Sequence, residues 1–229
     1  MNRAYQDDSE LKEFTAPAAL PVLLADQKDQ LGIDANDASH DNKLKWLINA
    51  VRQSVEEELN RSLIETEWDQ YLRVWPGQYC YQGGYQSQEI LVKGSPSLYS
   101  PYPIRVKRSP LRSVTEIRYV DVDGAEQTVS SANYIVDTAA EPGEISPAYG
   151  QAWPAARGIG TANMPKPIRV RFKAGYGTTA ASVPDSLRVP ILMIVGHLFE
   201  HREAFTEANL SEVGMAVRSF ISQKQIFNF

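Results

Sequence analysis

Cysteine is almost absent from this chain of 229 residues. The single Cys80 has no partner for an internal disulfide, and it excludes a site built on a cluster of cysteines. Long apolar runs are absent too. The stretch 16–25 is interrupted by two prolines, and the strongest later run, 191–195, is far shorter than the roughly 20 residues that span a bilayer. Residues 1–14 are polar and acidic, unlike a secretory signal. We therefore expect a soluble protein of a reducing compartment with no membrane partner.

Basic residues are in the minority, with 23 Lys and Arg against 28 Asp and Glu and a formal net charge of -5. A protein that binds nucleic acid mainly by neutralising phosphates normally has the opposite bias. Phosphate-binding signatures are also absent, because Gly175-Tyr176-Gly177 lacks both the Walker lysine and the spacing of a dinucleotide fingerprint. The residues alone therefore predict no catalytic site, no cofactor and no tight grip on DNA.

Helical periodicity is clear in the first third of the chain. A short helix is predicted over about 22–31, ended by Gly32, and a long one over about 40–60. The apolar positions of the long helix recur at the helical period and form one stripe: Leu44, Leu47, Ile48, Val51, Val55 and Leu59. The polar residues expected to cover its solvent side are Arg52, Gln53, Glu56 and Glu57. We expect the stripe to pack against another helix.

A third helix is predicted over about 184–205, after the turn at 175–177. Pro184 suits the first helical turn, whereas Pro190 lacks a backbone donor and is expected to kink or delay the helix. The side chains expected to form its buried face are Ile191, Ile194, Val195, Leu198, Arg202 and Phe205.

Between these helices, residues 66–175 consist of short β-prone runs separated by turn residues. The strands predicted there are 67–75, 89–93, 104–107, 114–120, 127–129, 134–137 and 168–174. The fold class is therefore α+β: two main packed helices, a β-rich insertion between them, and a C-terminal tail. We divide the chain into an N-terminal extension (1–16), a main domain (17–205) and the tail (206–229).

The sharpest short motif is His197-Leu198-Phe199-Glu200-His201, which matches the H-x-x-E-H pattern of inverted zinc proteases. A zinc site would need a third ligand, for which the nearby candidates are Glu203, Glu207 and Glu212. Five-residue patterns recur by chance, and the two apolar residues inside this one favour a packed helix. The zinc-dependent hydrolase remains an alternative to a structural role for this segment.

A second alternative comes from the tyrosine-rich segment between Tyr79 and Tyr102. Such aromatic residues suit a β-rich module that binds carbohydrate or a host surface. Few basic residues lie between the rings, which favours aromatics that cover a sheet edge or a neighbouring subunit.

The second half of the chain also carries an ordered set of short segments. They are PLRSVTEI (110–117), YVD (119–121), YIVD (134–137), ISPAYG (145–150), WP (153–154), VRFKAGYG (170–177), VP (183–184) and GHLFEHRE (196–203). In order and spacing this set resembles the head–tail connector (adaptor, head-completion) proteins of tailed bacteriophages and prophages. The resemblance covers about residues 20–205, including the two N-terminal helices and Trp68.

The resemblance implies a structural virion protein with no catalysis and no cofactor or metal. Subunits of this kind assemble as a ring, expected to be twelvefold, beneath the portal vertex in the neck of the particle. They contact the portal protein and a tail or stopper protein, and DNA passes through the channel without tight binding. The net negative charge of this chain is compatible with such passage. The implied location is the virion neck, with the host cytoplasm before assembly.

The tail 206–229 is predicted to dock on the portal. It has no acidic residue after Glu212, and its apolar side chains cannot bury themselves in so short a segment. The predicted docking residues are Arg218, Phe220, Ile221, Lys224, Ile226, Phe227 and Phe229. The other interpretation is that the tail folds back on its own subunit.

Overall fold

A computed structural model describes residues 9–76, 102–157 and 166–200. Over these ranges the chain has three α-helices and two antiparallel sheets. The strands are β1 (Glu10–Thr15), β2 (Thr66–Leu72), β3 (Ile104–Arg105), β4 (Leu111–Val120), β5 (Glu126–Thr128), β6 (Tyr134–Asp137), β7 (Glu144–Pro147) and β8 (Ile168–Ala174). The helices are α1 (Leu24–Gln30), α2 (Asp41–Leu59) and α3 (Asp185–Glu200). The structure therefore confirms a mixed α and β fold.

The larger sheet has the strand order β1-β2-β8-β4-β5, and the smaller one has the order β3-β7-β6. β8 is the central strand, and its alternation is the one predicted: Ile168, Val170 and Phe172 are fully buried. Phe172 lies opposite Trp68 of β2 on one side and opposite Val114 of β4 on the other. One face of this sheet is therefore a packed apolar surface.

The helices share a core of their own. All six residues of the predicted α2 stripe are buried, together with Leu187, Ile191 and Val195 of α3. The stripe therefore packs as predicted, because one apolar face of a period-3.6 helix must find an apolar partner.

The second core lies under the larger sheet, where Trp75 stacks on Trp153 with ring centroids 4.9 Å apart. The buried Gln70 of β2 ties the two sheets together. Its amide donates to the Arg105 carbonyl at 3.0 Å and its oxygen accepts from the Lys107 amide at 3.0 Å. A buried amide side chain thus finds backbone partners on β3 and just after it.

The helical core and the sheet meet where β8 ends. Gly175 has φ +135°, and a Cβ there would lie 2.6 Å from the backbone of Ile64 and Glu65. The Glu65 amide donates to the Gly177 carbonyl at 2.7 Å in the same region. Only glycine has both the conformational freedom and the small size that this close approach requires.

Three predictions from the sequence need correction. Residues 10–15, assigned to a solvated extension, form β1 and pair with β2 as an edge strand. Arg52 and Glu56, assigned to the solvent side of α2, are 4% and 3% exposed. Pro190 is the sixth residue of α3, so it does not delay the helix.

Other boundaries differ by small amounts or lie outside the described residues. β7 was not predicted, since it is only four residues long and ends in a proline. The predicted strand 89–93 and the last turn of the third helix, 201–205, lie outside the described residues.

Candidate interaction surfaces

The H-x-x-E-H motif begins on the last turn of α3, and its final His201 lies outside the described residues. Phe199 of the motif packs edge-on against His40 with centroids 5.3 Å apart, and the Lys43 ammonium lies 4.4 Å from its ring centroid. Where the structure describes the chain, no three potential metal ligands come together. The contacts of Phe199 with His40 and Lys43 therefore hold the end of α3 against the beginning of α2.

Most of the tyrosine-rich segment and every predicted docking residue from Arg218 to Phe229 lie outside the described residues. Tyr102 is described: it is 59% exposed, and its carbonyl accepts a hydrogen bond from Trp153 Nε1 at 2.9 Å. No helix in the described ranges is long and apolar enough to cross a bilayer. Because the predicted docking residues lie outside the described residues, docking of the tail on the portal stays a prediction.

A buried ionic cluster holds the C-terminal half of α2 to the chain around it. The Arg52 guanidinium lies 2.6 Å from Glu56, whose other oxygen accepts from the Leu63 amide at 2.7 Å. Arg108 donates to the Glu56 carbonyl. Burial raises the pKa of the Glu56 carboxyl, which Arg52 opposes, and burial lowers the pKa of Arg108. Glu56 thus has partners inside the fold for its carboxylate and for its carbonyl, which indicates a structural role for the cluster.

The face of the larger sheet that is turned away from the core is charged. Arg171 of β8 binds Asp69 of β2 through two hydrogen bonds of 2.7 and 2.8 Å, and the Phe14 ring lies 3.4 Å from its guanidinium carbon. Glu116 of β4 accepts from Arg169 at 2.7 Å and from Arg118 at 2.8 Å. Alternation along the strands places these side chains on one face.

One end of this charged face forms a concave surface of about 370 Å³, which we call the basic groove. Its polar lining consists of Tyr71, Arg118, Glu126, Arg157, Lys166 and Arg169. The lining therefore holds four cations and one carboxylate, in a chain whose net charge is negative.

The strand register creates this excess of positive charge. Arg118 of β4 lies directly opposite Arg169 of β8, which in turn lies opposite Tyr71 of β2. Like charges in register destabilise a sheet, and Glu116 between the two guanidiniums only partly compensates them. Arg157 is exposed and forms no ion pair within the described ranges. Sequence analysis missed this surface because its residues come from separate segments of the chain.

No family model matches the sequence, and no curated protein matches it. Solved structures do. A chain from the neck of an empty gene transfer agent (GTA) particle, computed with C6 symmetry, aligns with a TM-score of 0.65 and 19% identity over 96% of this chain and 97% of that one. A chain from the neck of the native particle, computed with C12 symmetry, gives 0.62 and 20% over 96% and 97%. A chain from the virion of the native particle gives 0.60 and 17% over 96% of both. This chain therefore shares their fold along nearly its whole length.

Proposed function

We propose that this chain, which has the fold of proteins in GTA particles and their necks, is a structural subunit of the neck of a phage-like particle. In this proposal it forms a ring at the portal vertex that joins the head to the tail and lets DNA pass. The observation that carries it is the match over at least 96% of both chains, because a shared small motif would cover far less. The ordered sequence segments that resemble head–tail connectors support the same role independently.

The ring is proposed to contain twelve subunits. The two GTA neck structures were computed with C6 and with C12 symmetry, and a twelvefold ring contains a sixfold axis. Within each subunit, the two main helices would form one packed unit and the β-rich insertion between them a second one. The acidic net charge suits a wall that DNA passes without being held.

The partners proposed for the ring are the portal protein on the head side and a tail or stopper protein on the other. The tail 206–229 is the proposed portal-docking arm, since its charge balance is reversed and its apolar residues need a partner surface. The role is structural, needs no metal or cofactor, and places the protein in the virion neck after a stage in the host cytoplasm.

Electron microscopy of the purified chain mixed with the portal protein of the same particle tests this proposal. We expect the chain alone to sediment as a monomer or weak oligomer and to close into a twelvefold ring on the portal, because a symmetric template fixes the rotation between subunits. A tight twofold dimer that ignores the portal would contradict the proposal. Stoichiometric zinc that is lost on His197→Ala substitution would favour the hydrolase instead.

A further inference from the structure

The basic groove has the electrostatics of a site for an anionic partner. Its two in-register arginines, Arg118 and Arg169, share Glu116, while Arg157 and Lys166 add two more cations to the lining. Lys166 lies 3.5 Å from Glu10, and Arg118 lies 3.4 Å from the exposed Glu126, distances at which surface pairs contribute little. Additional carboxylates entering the groove would therefore gain electrostatic energy.

The size of the groove favours a protein segment over DNA. A duplex is recognised by a long stripe of cations that neutralises many successive phosphates. The groove instead gathers four cations around about 370 Å³, beside the ring of Tyr71 and the turn that carries Gly124, whose neighbour is Arg157. This space fits a few side chains on a loop.

The same chain presents such a segment where α1 ends. We call residues 29–37, the last two residues of α1 and the loop that follows them, the acidic loop; Asp29, Asp34 and Asp37 in it are exposed. Lys28, only 5% exposed, fixes the loop by donating to the Ala35 and Asp37 carbonyls at 3.2 and 2.9 Å. A loop held in this way loses little conformational entropy on binding.

Local hydrogen bonds also fix the carboxylates of the acidic loop. Asp34 Oδ1 accepts from the Asn36 amide at 2.7 Å, and Asp37 Oδ1 accepts from the Ser39 amide at 2.9 Å. Hydrogen bonds from Ser39 lower the pKa of Asp37, so it stays ionised. The acidic loop is thus a preformed anionic surface.

The two surfaces lie at different ends of the subunit. The basic groove lies beside Lys166, just before β8 begins, whereas β8 ends at Ala174 next to the helical core that carries the acidic loop. Seven strand residues separate those ends by roughly 20 Å. A subunit therefore does not fill its own groove with its own loop. Two complementary surfaces at separate places are what a head-to-tail contact in a ring requires.

We propose that the acidic loop of one subunit docks in the basic groove of the next copy of this chain, and that this contact helps to close the ring. The inference rests on the proposed function, because it concerns the ring interface. Charge complementarity between the two surfaces and their separation along β8 carry it.

Charge exchange within one chain tests the contact. Arg157→Glu reverses the exposed groove cation, and Asp34→Lys reverses a loop carboxylate; each should weaken ring assembly on the portal about tenfold in the protein concentration required. The double variant carries both reversals at every interface, so it should recover most of the loss. Lys45→Glu, an exposed reversal on α2, is the matched control and should assemble as the wild type does. Melting curves should show that all four variants fold.

The outcomes separate this inference from the proposed function. If the wild type forms no ring on the portal, the proposed function fails. If the wild type forms rings and Arg157→Glu assembles as well as Lys45→Glu, the inference fails and the proposed function stands. If rings are unchanged but Arg157→Glu loses binding to a duplex oligonucleotide that the wild type binds, the groove is a DNA site and the inference is overturned. Loss in both single variants without recovery in the double variant also contradicts direct pairing.

Discussion

Asp121 closes the turn between β4 and β5 with its side chain. Its Oδ1 accepts from the amides of Asp123 and Ala125 at 3.0 and 2.9 Å, and its Oδ2 accepts from Gln127 Nε2 at 2.9 Å. The hydrogen bond from Gln127 and then that from Ala125 lower the pKa of Asp121 below its ordinary value of 3.8. A carboxyl whose pKa is lower in the folded state than in the unfolded state stabilises the folded protein above pH 3.8. This contribution to stability is lost as the pH falls through the pKa of the folded state.

Asp121→Asn should therefore lower the melting temperature at pH 7, because the amide keeps only part of the acceptor set. The difference from the wild type should shrink as the pH falls from 3.8, where the unfolded chain takes up the proton, through the lowered pKa at which the folded wild-type carboxyl becomes protonated. Thermal melts across this range provide the measurement. Asp123→Asn, in the same turn, is the control; an equal effect there would assign the change to general charge instead.

Gly175 gives a second prediction for a single residue. Gly175→Ala places a Cβ 2.6 Å from the backbone of Ile64 at a φ of +135°, so we expect a loss of about 3 kcal/mol or more in the free energy of unfolding. Gly32→Ala is the control, because its φ is +66° and nothing lies within 4 Å. It should cost only about 1 kcal/mol of backbone strain. Equal losses in denaturant titrations would show that the contact with Ile64 is unimportant.

Burial of single charged residues was the least predictable feature. Arg52 and Glu56 sit one turn apart beside the apolar stripe, and pattern analysis assigns such residues to solvent. They are buried because Leu63, 7 positions after Glu56, supplies a hydrogen bond, and Arg108, 52 positions after it, supplies a charge. Both partners lie outside the helix, so they leave no periodic signal in its sequence.

Among the elements, α2 and β8 were predicted closely because each has a regular burial pattern. Burial repeats at the helical period along α2 and alternates from residue to residue along β8. α2 was expected over 40–60 and spans Asp41–Leu59, and β8 was expected over 168–174 and spans Ile168–Ala174. β1 was missed because its side chains are mostly exposed and its pairing with β2 is made by backbone hydrogen bonds. Backbone pairing at a sheet edge is compatible with almost any polar sequence.

Val51 tests the packing of α2. Val51→Asp puts a carboxylate among apolar neighbours at a position only 4% exposed, which should cost more than about 5 kcal/mol, comparable to the whole stability of a small domain, and unfold most of the protein. Val51→Ala should remain folded and lose about 2 kcal/mol. Glu57→Ala on the exposed side should stay within about 0.5 kcal/mol of the wild type. Unchanged melting of Val51→Asp would show that the stripe is not packed.

The basic groove also depends on the register between two strands. Arg118 and Arg169 are 51 positions apart and become neighbours only when β4 pairs with β8. Sequence analysis named both strands but had no means of aligning them, since alternation fixes the face of each residue and leaves its partner open. A two-residue slip would keep the buried face and remove the groove.

At the scale of the molecule, two apolar cores are joined by the close contact at Gly175. The helical core and the core under the sheet share no buried member, and the backbone of residues 63–65 links them through hydrogen bonds to residues 176–177. A chain of 17–20% identity can keep this arrangement because cores tolerate exchange of apolar residues when the pattern is kept. This explains how the fold is shared when no family model matches.

The last prediction concerns residues 214–229, which contain all seven predicted docking residues. Deleting them should leave both described cores folded, because residues of the described ranges already supply two packed apolar clusters. The truncated chain should nevertheless lose binding to the portal, since the aromatic residues with Arg218 and Lys224 suit an interface anchor on an acidic partner. Cosedimentation with the portal measures the loss, and circular dichroism checks the fold. Replacing Phe220 and Phe227 with serine in the full chain is the finer variant and should also weaken binding to the portal.

A truncated chain that melts well below the full chain would indicate a tail folded back on its own subunit. Undiminished portal binding by a folded truncation would show that the docking arm lies elsewhere.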